Sequence, residues 1–273
     1  MRIIVLMKEV PDTYGDRVLD LETGLAARAA SEAVPDEICE RALEAALAYA
    51  DSAESDSAGG DSAGGDSAGG VEVTVVMMAP AGAASTLRKV LAVGADSGVQ
   101  VVGDALSGAD AGLTAEVLAA AVRRSGADLV LAGNASTDGA GGVVPAMLAE
   151  LLEMPLLSGL SELRITADAV SGVRPVEGGV QKLTAPLPAV VSVTEALPAA
   201  RFPNFKGILA AKKKPVEVLS PEDLGVDAGD LSVPRSIMLS IAERPPRAAG
   251  LRIVDAGDAG EQLADFLIEN RLV

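Results

Sequence analysis

The first 150 residues alternate between two hydrophobic patterns. Short runs of Val, Ile and Leu predict buried strands, and apolar residues spaced three or four positions apart predict helices. Strand and helix follow each other four times, which is typical of a parallel sheet covered by helices, an α/β Rossmann-like fold. The predicted strands cover residues 2–7, 71–79, 99–102 and 128–132, and the predicted helices begin near Asp36, Ser85, Thr114 and Val143.

The second half of the chain has a weaker pattern. Residues 163–165 and 173–176 predict short antiparallel strands around the turn EGG, and residues 187–193 predict another buried strand. An amphipathic helix is predicted over residues 261–271. We therefore expect an α/β domain over residues 1–235 and a C-terminal arm with a helix over residues 236–273.

One segment interrupts the first half. Residues 51–70 contain the sequence DSAGG three times in tandem and offer no large apolar side chain to bury. Such a composition predicts a flexible, solvated surface insertion without chemistry of its own.

Composition narrows the chemistry that the chain can perform. Aromatic residues make up 2% of the 273 residues, so the core must be aliphatic. The chain has no His and a single thiol, Cys39, which lies on an apolar helical face and is expected to be a buried structural residue. An intrachain disulfide, a zinc site and a Cys–His nucleophile are thereby excluded, and no other metal site is expected.

Charge and hydropathy indicate where the chain works. The formal net charge of -17 opposes binding to nucleic acid and to anionic membranes. The apolar run over residues 3–7 is too short for a signal peptide or a membrane span, and no stretch approaches 18 apolar residues. We expect a cytoplasmic protein without membrane insertion.

The best candidate for a ligand site is the segment LAGNASTDGAGGVV at residues 131–144. A strand runs into a glycine-rich loop, and an apolar helix follows, which is how α/β folds build phosphate sites. The segment matches neither GxGxxG nor the P-loop pattern. By composition alone, a glycine-rich connection without a ligand is an equal alternative.

Two further clusters attract attention. The segment KEVPDTY at residues 8–14 follows the first strand and should lie at the carboxyl edge of the sheet, where ligands bind, although it reads equally as a strand-ending turn. The segment RFPNFKGILAAKKK at residues 201–214 holds five of the 22 basic residues and two of the five aromatic residues. It is either a protein-recognition segment or a solvated lysine run beside two buried Phe residues.

Taken in order, these segments resemble the electron transfer flavoprotein beta subunit family. The resemblance rests on VLMKEVPDT, DEICERALEAAL, LRKVLAVGAD, LVLAGNASTDGAGGVVPAMLAELL, and LPAVVSVTEALPAARFPNFKGILAAKKKPVEVLSPEDLGVD. It implies a non-enzymatic electron carrier that pairs with an alpha subunit, which holds most of the FAD site. It also implies a structural AMP in the beta subunit, or a second FAD in a bifurcating minority. The pair would carry electrons from acyl-CoA-type dehydrogenases to a quinone reductase.

The resemblance also implies roles for particular residues. The loop containing Thr13 and Tyr14 would lie near the flavin, and the C-terminal arm would dock on the partner subunit. Phe205 would be the apolar anchor for dehydrogenases, next to the basic residues Lys212, Lys213 and Lys214. The implied AMP contacts are Leu6, Asp36, Glu37, Ile38, Cys39, Met78, Gly133, Asn134, Ala135, Ser136, Thr137, Asp138, Gly139, Ala140, Gly141, Gly142, Val143 and Val144.

Two departures from the family pattern stand in the sequence. Gly141 and Val143 replace the Thr and Gln whose side chains help to hold phosphate in many members, and Pro35-Asp36 replaces Asn-Pro at the start of the first helix.

Two other functions are alternatives to an electron carrier. A nucleotidyl transferase would need a catalytic phosphate motif that the chain lacks, and a nucleotide-binding stress or sensor protein would lack the KGILAAKKK segment and the long tail.

Overall fold

The computed structural model describes residues 1–15, 18–58, 70–230 and 232–273. In these ranges the chain forms two compact units, Met1–Leu239 and Ser240–Val273. The strands are β1 (Arg2–Leu6), β2 (Glu9–Pro11), β3 (Ala33–Pro35), β4 (Glu72–Met78), β5 (Ser97–Val101), β6 (Leu129–Gly133), β7 (Leu156–Leu160), β8 (Glu162–Ile165), β9 (Ala169–Val176), β10 (Gly179–Pro186), β11 (Ala189–Val193) and β12 (Val216–Leu219). The helices are α1 (Glu37–Ala58), α2 (Ala84–Val93), α3 (Ala111–Ser125), α4 (Val144–Leu152), α5 (Phe205–Ala211) and α6 (Ala259–Glu269).

The first unit is built on a seven-stranded sheet in the order β12-β5-β4-β1-β6-β11-β7. Each pair of neighbours in this sheet runs parallel. The predicted α/β Rossmann-like fold is confirmed. Because β1 lies at the centre of this sheet, the segment after its last residue opens at the middle of the carboxyl edge.

The central strand shows how the sequence builds two hydrophobic layers. Successive side chains of a strand point to opposite faces, so Ile3 and Val5 enter one core while Ile4 and Leu6 enter the other. Helices α1 and α2 complete the first core, and α3 and α4 complete the second. A strand buried on both faces therefore needs the continuous apolar run that the sequence shows.

The first helix is longer than predicted. Residues 51–58 were expected to begin a flexible loop, but α1 continues to Ala58. This stretch contains Ala, Ser, Asp and Glu without Gly or Pro, so nothing in it stops a helix that packing has already nucleated. Residues 59–69 of the predicted insertion lie outside the described residues.

The predictions for the second half were incomplete. The turn EGG joins β9 to β10 rather than β8 to β9, and the three strands form an antiparallel sheet in the order β10-β9-β8. β10 escaped prediction because most of its residues are exposed on both faces, which leaves no alternating pattern. β7 and the half-exposed edge strand β12 were missed as well.

The segment after the first strand is also more regular than a turn. β2 pairs antiparallel with β3, and Val10 lies opposite Val34. β3 ends at the residue before Asp36, so this two-stranded ribbon leads directly into α1. The ribbon therefore fixes the position of Asp36 at the carboxyl edge of the sheet.

The second unit contains α6, which begins and ends two residues earlier than the predicted helix over residues 261–271. Its apolar residues Leu263 and Ile268 are exposed. The predicted docking of this arm on a partner subunit stays a prediction. Across the parts of the chain that are described, every helix is too short or too polar to span a bilayer.

Candidate functional site

The candidate site lies at the carboxyl edge of the sheet, where β6 leaves into residues 134–143 and α4 begins. The exit of β1 lies on one side, because β1 pairs with β6, and β4 follows next to β1. The structure thus brings the buried Leu6 and the partly buried Met78 to the same edge as the loop. These two apolar residues, 72 positions apart in the sequence, could line the floor of a ligand site.

A buried carboxylate joins the first helix to the loop. Asp36 is fully buried. Its Oδ1 accepts hydrogen bonds from the backbone N–H of Ile38 (3.0 Å) and Cys39 (3.3 Å), so it caps α1. Its Oδ2 accepts from the backbone N–H of Thr137 (2.7 Å) and from Thr137 Oγ1 (2.9 Å). The structure gives the carboxylate of Asp36 a bracing role, and the predicted contact of Asp36 with a nucleotide stays a prediction.

The end of β6 and the start of α1 also touch through their backbones. A Cβ atom at Gly133 would lie 3.2 Å from the backbone nitrogen of Cys39 and 3.2 Å from Cγ2 of Ile38, closer than most real Cβ contacts. A side chain at residue 133 would therefore push the start of α1 away from β6, and Gly133 avoids this. Cys39 is a buried, inert thiol: burial, followed by the nearby charge of Asp36, raises its pKa to about 12.

The middle of the loop is held by a cationic cluster. Lys8 Nζ donates to Asp138 Oδ1 (2.6 Å) and to Ser136 Oγ (3.1 Å). Arg28 Nη2 donates to Asp138 Oδ2 (3.1 Å). The backbone N–H of Gly139 donates to both Asp138 Oδ1 and Ser136 Oγ. The polar side chains of this half of the loop are thus engaged within the protein.

The electrostatics of Asp138 follow from its burial and from its contacts with Lys8 and Ser136. Burial raises the pKa of Asp138, but hydrogen bonds from Lys8 and Ser136 and the charge of Lys8 outweigh that effect and lower the pKa to about 2. Asp138 is therefore ionised throughout the neutral range. Arg28 also donates to the carbonyl of Glu9, so it links the loop to the β2–β3 ribbon. Lys8 lay in a predicted cluster, whereas no sequence signal pointed to Arg28.

The second half of the loop offers backbone donors. Among the described residues, no hydrogen-bond acceptor pairs with the N–H groups of residues 141–144. Gly142 adopts φ +66° and Ala140 adopts φ +50°, so the backbone turns sharply here. Four unused amides at the N-terminus of α4 can bind an anion such as a phosphate.

An unpaired acceptor lies at the start of the same loop. The side-chain oxygen of Asn134 is buried and has no partner in the described part of the chain. Buried polar atoms without partners are uncommon in native structures, so this oxygen suits a ligand that can donate a hydrogen bond. The remaining predicted contacts are Glu37, which is exposed, and Ile38, Ala135 and Val144, which are partly buried.

The residues predicted to lie near a flavin are on the surface. Thr13 and Tyr14 follow β2, and the side chain of Tyr14 is 99% exposed. The backbone N–H of Tyr14 donates to Asp12 Oδ1 (2.9 Å), which fixes the turn. The structure presents both residues to solvent, and their contact with a flavin stays a prediction.

The segment at residues 201–214, here called the docking arm, contains α5. Asn204 caps this helix by accepting from the N–H of Gly207 (2.8 Å). Phe205 is 77% exposed and Phe202 is 95% exposed, so the alternative that both rings are buried is wrong. Ile208 and Leu209 are also partly exposed on α5.

The structure corrects one prediction about the docking arm and adds one contact. Gly207 lies inside α5 and packs against α2, because a Cβ there would meet the carbonyl oxygen of Ala92. Lys214 was predicted to face a partner, but its Nζ donates to the carbonyls of Leu91 (3.0 Å) and Gly94 (2.9 Å) at the end of α2. Lys212 and Lys213 are exposed. Among the three lysines, a partner-facing role therefore stays a prediction for Lys212 and Lys213.

Comparison with known proteins gives a consistent result. A family model described as electron transfer flavoprotein domain matches residues 62–224. The chain is 39% identical over 274 aligned residues to the electron transfer flavoprotein subunit beta of Mycobacterium tuberculosis, and the match covers 99% of each chain. It is 40% identical, with the same coverage, to the protein of that name in Mycobacterium leprae.

We expect Asp36→Ala to lower the free energy of unfolding by about 3 kcal/mol. The loss combines a helix cap, worth about 1 kcal/mol, with two bonds to a charged acceptor that leave the Thr137 donors unpaired. Asn204→Ala is the control, because Asn204 caps α5 through a hydrogen bond from the N–H of Gly207 (2.8 Å) and is exposed. It should cost about 1 kcal/mol in urea denaturation. Equal losses in the two variants would contradict the bracing role of Asp36.

Proposed function

This chain belongs to the electron transfer flavoprotein family, among its beta subunits, and on that premise we propose how its surfaces are used. The chain is a subunit of a flavin-containing electron carrier and not an enzyme. We propose that it pairs with an alpha subunit to complete an FAD site, binds one structural AMP, and carries electrons from acyl-CoA-type dehydrogenases to a quinone reductase.

The observation that carries the AMP proposal is the divided loop between β6 and α4. Its first half is braced through Asp36 and Asp138, while the four amides of residues 141–144 have no acceptor among the described residues and can receive an anion. The Thr and Gln side chains that support phosphate in many family members are replaced by Gly141 and Val143. The phosphate of AMP would therefore be held by backbone donors and by the positive end of the α4 dipole.

The base of the nucleotide would lie towards β1 and β4. Leu6 and Met78 supply apolar surface there, and the side-chain oxygen of Asn134, which has no partner in the described ranges, supplies an acceptor. An adenine ring has apolar faces and an exocyclic amino group that donates hydrogen bonds. The residues present fit such a group on both counts.

FAD supplies the electron chemistry when bound, and this chain would contribute one wall of its site. Thr13 and Tyr14 are the proposed wall residues, because the Asp12 turn presents them outward. Arg28 connects the excursion that follows them to Asp138 in the nucleotide loop. Order in the nucleotide loop would thus support the position of the flavin-facing turn.

We expect this chain to be colourless when purified alone and to give a yellow heterodimer when co-expressed with an alpha subunit. Denaturing the heterodimer and separating the released compounds by chromatography should yield one FAD and one AMP per pair. Two FAD without AMP would contradict the AMP proposal and point to a bifurcating type. A colourless, self-sufficient oligomer would support the nucleotide-sensor alternative.

Gly142→Val should reduce the AMP content of the heterodimer, because φ +66° is strained for a β-branched residue and the neighbouring donors would shift. Gly178→Val is the matched control. Gly178 has φ +79° in the turn between β9 and β10, away from the loop. It should lose comparable stability and retain full AMP content. Equal AMP content in both variants would show that phosphate is held elsewhere.

The docking arm is proposed to bind the dehydrogenase. Phe202, Phe205, Ile208 and Leu209 expose apolar surface, and the same segment exposes Lys206, Lys212 and Lys213 in a chain of net charge -17. Such a surface fits an apolar pocket with an acidic rim. The aromatic anchor would supply affinity, and the lysines would set the association rate and its dependence on salt.

Phe205→Ala should raise the apparent KM for a dehydrogenase roughly 30-fold, because truncating an aromatic anchor commonly costs about 2 kcal/mol. FAD content and melting temperature should not change, since the ring is largely exposed. Val180→Ala on β10, which is also exposed, is the control and should leave KM unchanged. A lowered melting temperature with an unchanged KM would exclude Phe205 as the anchor.

A further inference from the structure

The docking arm is held against α2 by close backbone contact. Gly207 faces the carbonyl oxygen of Ala92 with no room for a Cβ atom. Any side chain at this position would push α5 away from α2. The exposed residues Phe205, Ile208 and Leu209 therefore lie on a helix whose distance from α2 is fixed by Gly207.

Two positively charged side chains connect α2 with the end of α5, one from each side. Arg88 on α2 uses Nη1 to donate to the carbonyls of Ala211 and Lys214, both at 2.7 Å, at the end of α5. Lys214, just beyond α5, uses Nζ to donate to the carbonyls of Leu91 and Gly94 at the end of α2. Each helix thus receives a positive charge at its C-terminus, where carbonyls lack partners within the helix.

The other end of the arm is tied to α1. Arg201 donates to both carboxylate oxygens of Glu44 and to Asp51 Oδ2 (2.7 Å). These bonds and the Asn204 cap define where α5 begins. A seven-residue helix is too short to be stable by itself, so its order depends on such contacts.

We infer that Arg88 and Lys214 are positioning residues that hold the docking arm in its binding conformation before a partner arrives. The inference rests on the proposed function, in which this arm is the docking surface. A preformed arm loses little conformational entropy on binding, so more of the contact energy of Phe205 appears as affinity. Burial lowers the pKa of Lys214, as expected for an ammonium group drawn out of water rather than one presented to a partner.

The first test is hydrogen–deuterium exchange of the heterodimer. In Lys214→Met and in Arg88→Met, the amides of residues 208–211 should exchange at least tenfold faster, while the amides of β1 and β4 stay unchanged. Lys213→Met and Lys89→Met are the matched controls, because both residues are exposed neighbours of the same charge. Lys214→Arg, which keeps a donor at the end of α2, should restore most of the protection.

Unchanged exchange of residues 208–211 in Lys214→Met would overturn the inference. Faster exchange that spreads to β1 and β4 would also overturn it, because the residue would then support the whole fold. This measurement needs no dehydrogenase. A failure of the proposed docking function is therefore distinguishable from a failure of the positioning role.

The second test uses electron-transfer kinetics at two ionic strengths. Lys214→Met should raise the apparent KM for the dehydrogenase with kcat unchanged, and the increase should persist at high salt because it arises from a displaced helix. The effect of Lys213→Met should shrink at high salt, as expected for an exposed charge. If salt removes the effect of Lys214→Met as well, Lys214 contacts the partner directly and the inference is wrong.

Discussion

The buried carboxylate of Asp36 is the interaction on which the candidate site depends. A carboxylate in a protein interior is costly unless donors surround it. Here α1 supplies two donors and Thr137 supplies two, so the helix start and the loop are fixed by one side chain. Gly133 allows the close approach that this geometry requires. Neither the loop nor the first helix can move without leaving a charge or a donor unpaired.

The loop separates two tasks along its length. Polar side chains in its first half bind one another and the cations Lys8 and Arg28, which makes that half rigid. Its second half presents backbone amides at the start of α4. Asp138 pairs with both Lys8 and Arg28, so these side chains are engaged by the first half of the loop, and the helix dipole and the amides are what the second half offers an anion. A site of this kind selects a ligand by the geometry of its donors.

The docking arm is built in the same way as the loop: polar contacts fix one side of it, and the other side stays available for binding. Its lysines have two different roles despite being adjacent in the sequence. Lys214 points inward and completes α2, whereas Lys212 and Lys213 stay in solvent. A short helix can thus carry an exposed aromatic ring on a firm base, since the contacts that order it lie on its opposite side.

The sequence by itself determined the features that depend on neighbouring residues. The buried runs set the central parallel strands, and Asp36 marked the start of α1. Tertiary structure alone decided the features that join distant segments. Arg28 and Asp138 are 110 positions apart, and Lys214 and Leu91 are 123 apart, so no local pattern connects them. Strands β10 and β12 were missed because their side chains are largely exposed and leave no hydrophobic pattern. Backbone pairing with a neighbouring strand defines them.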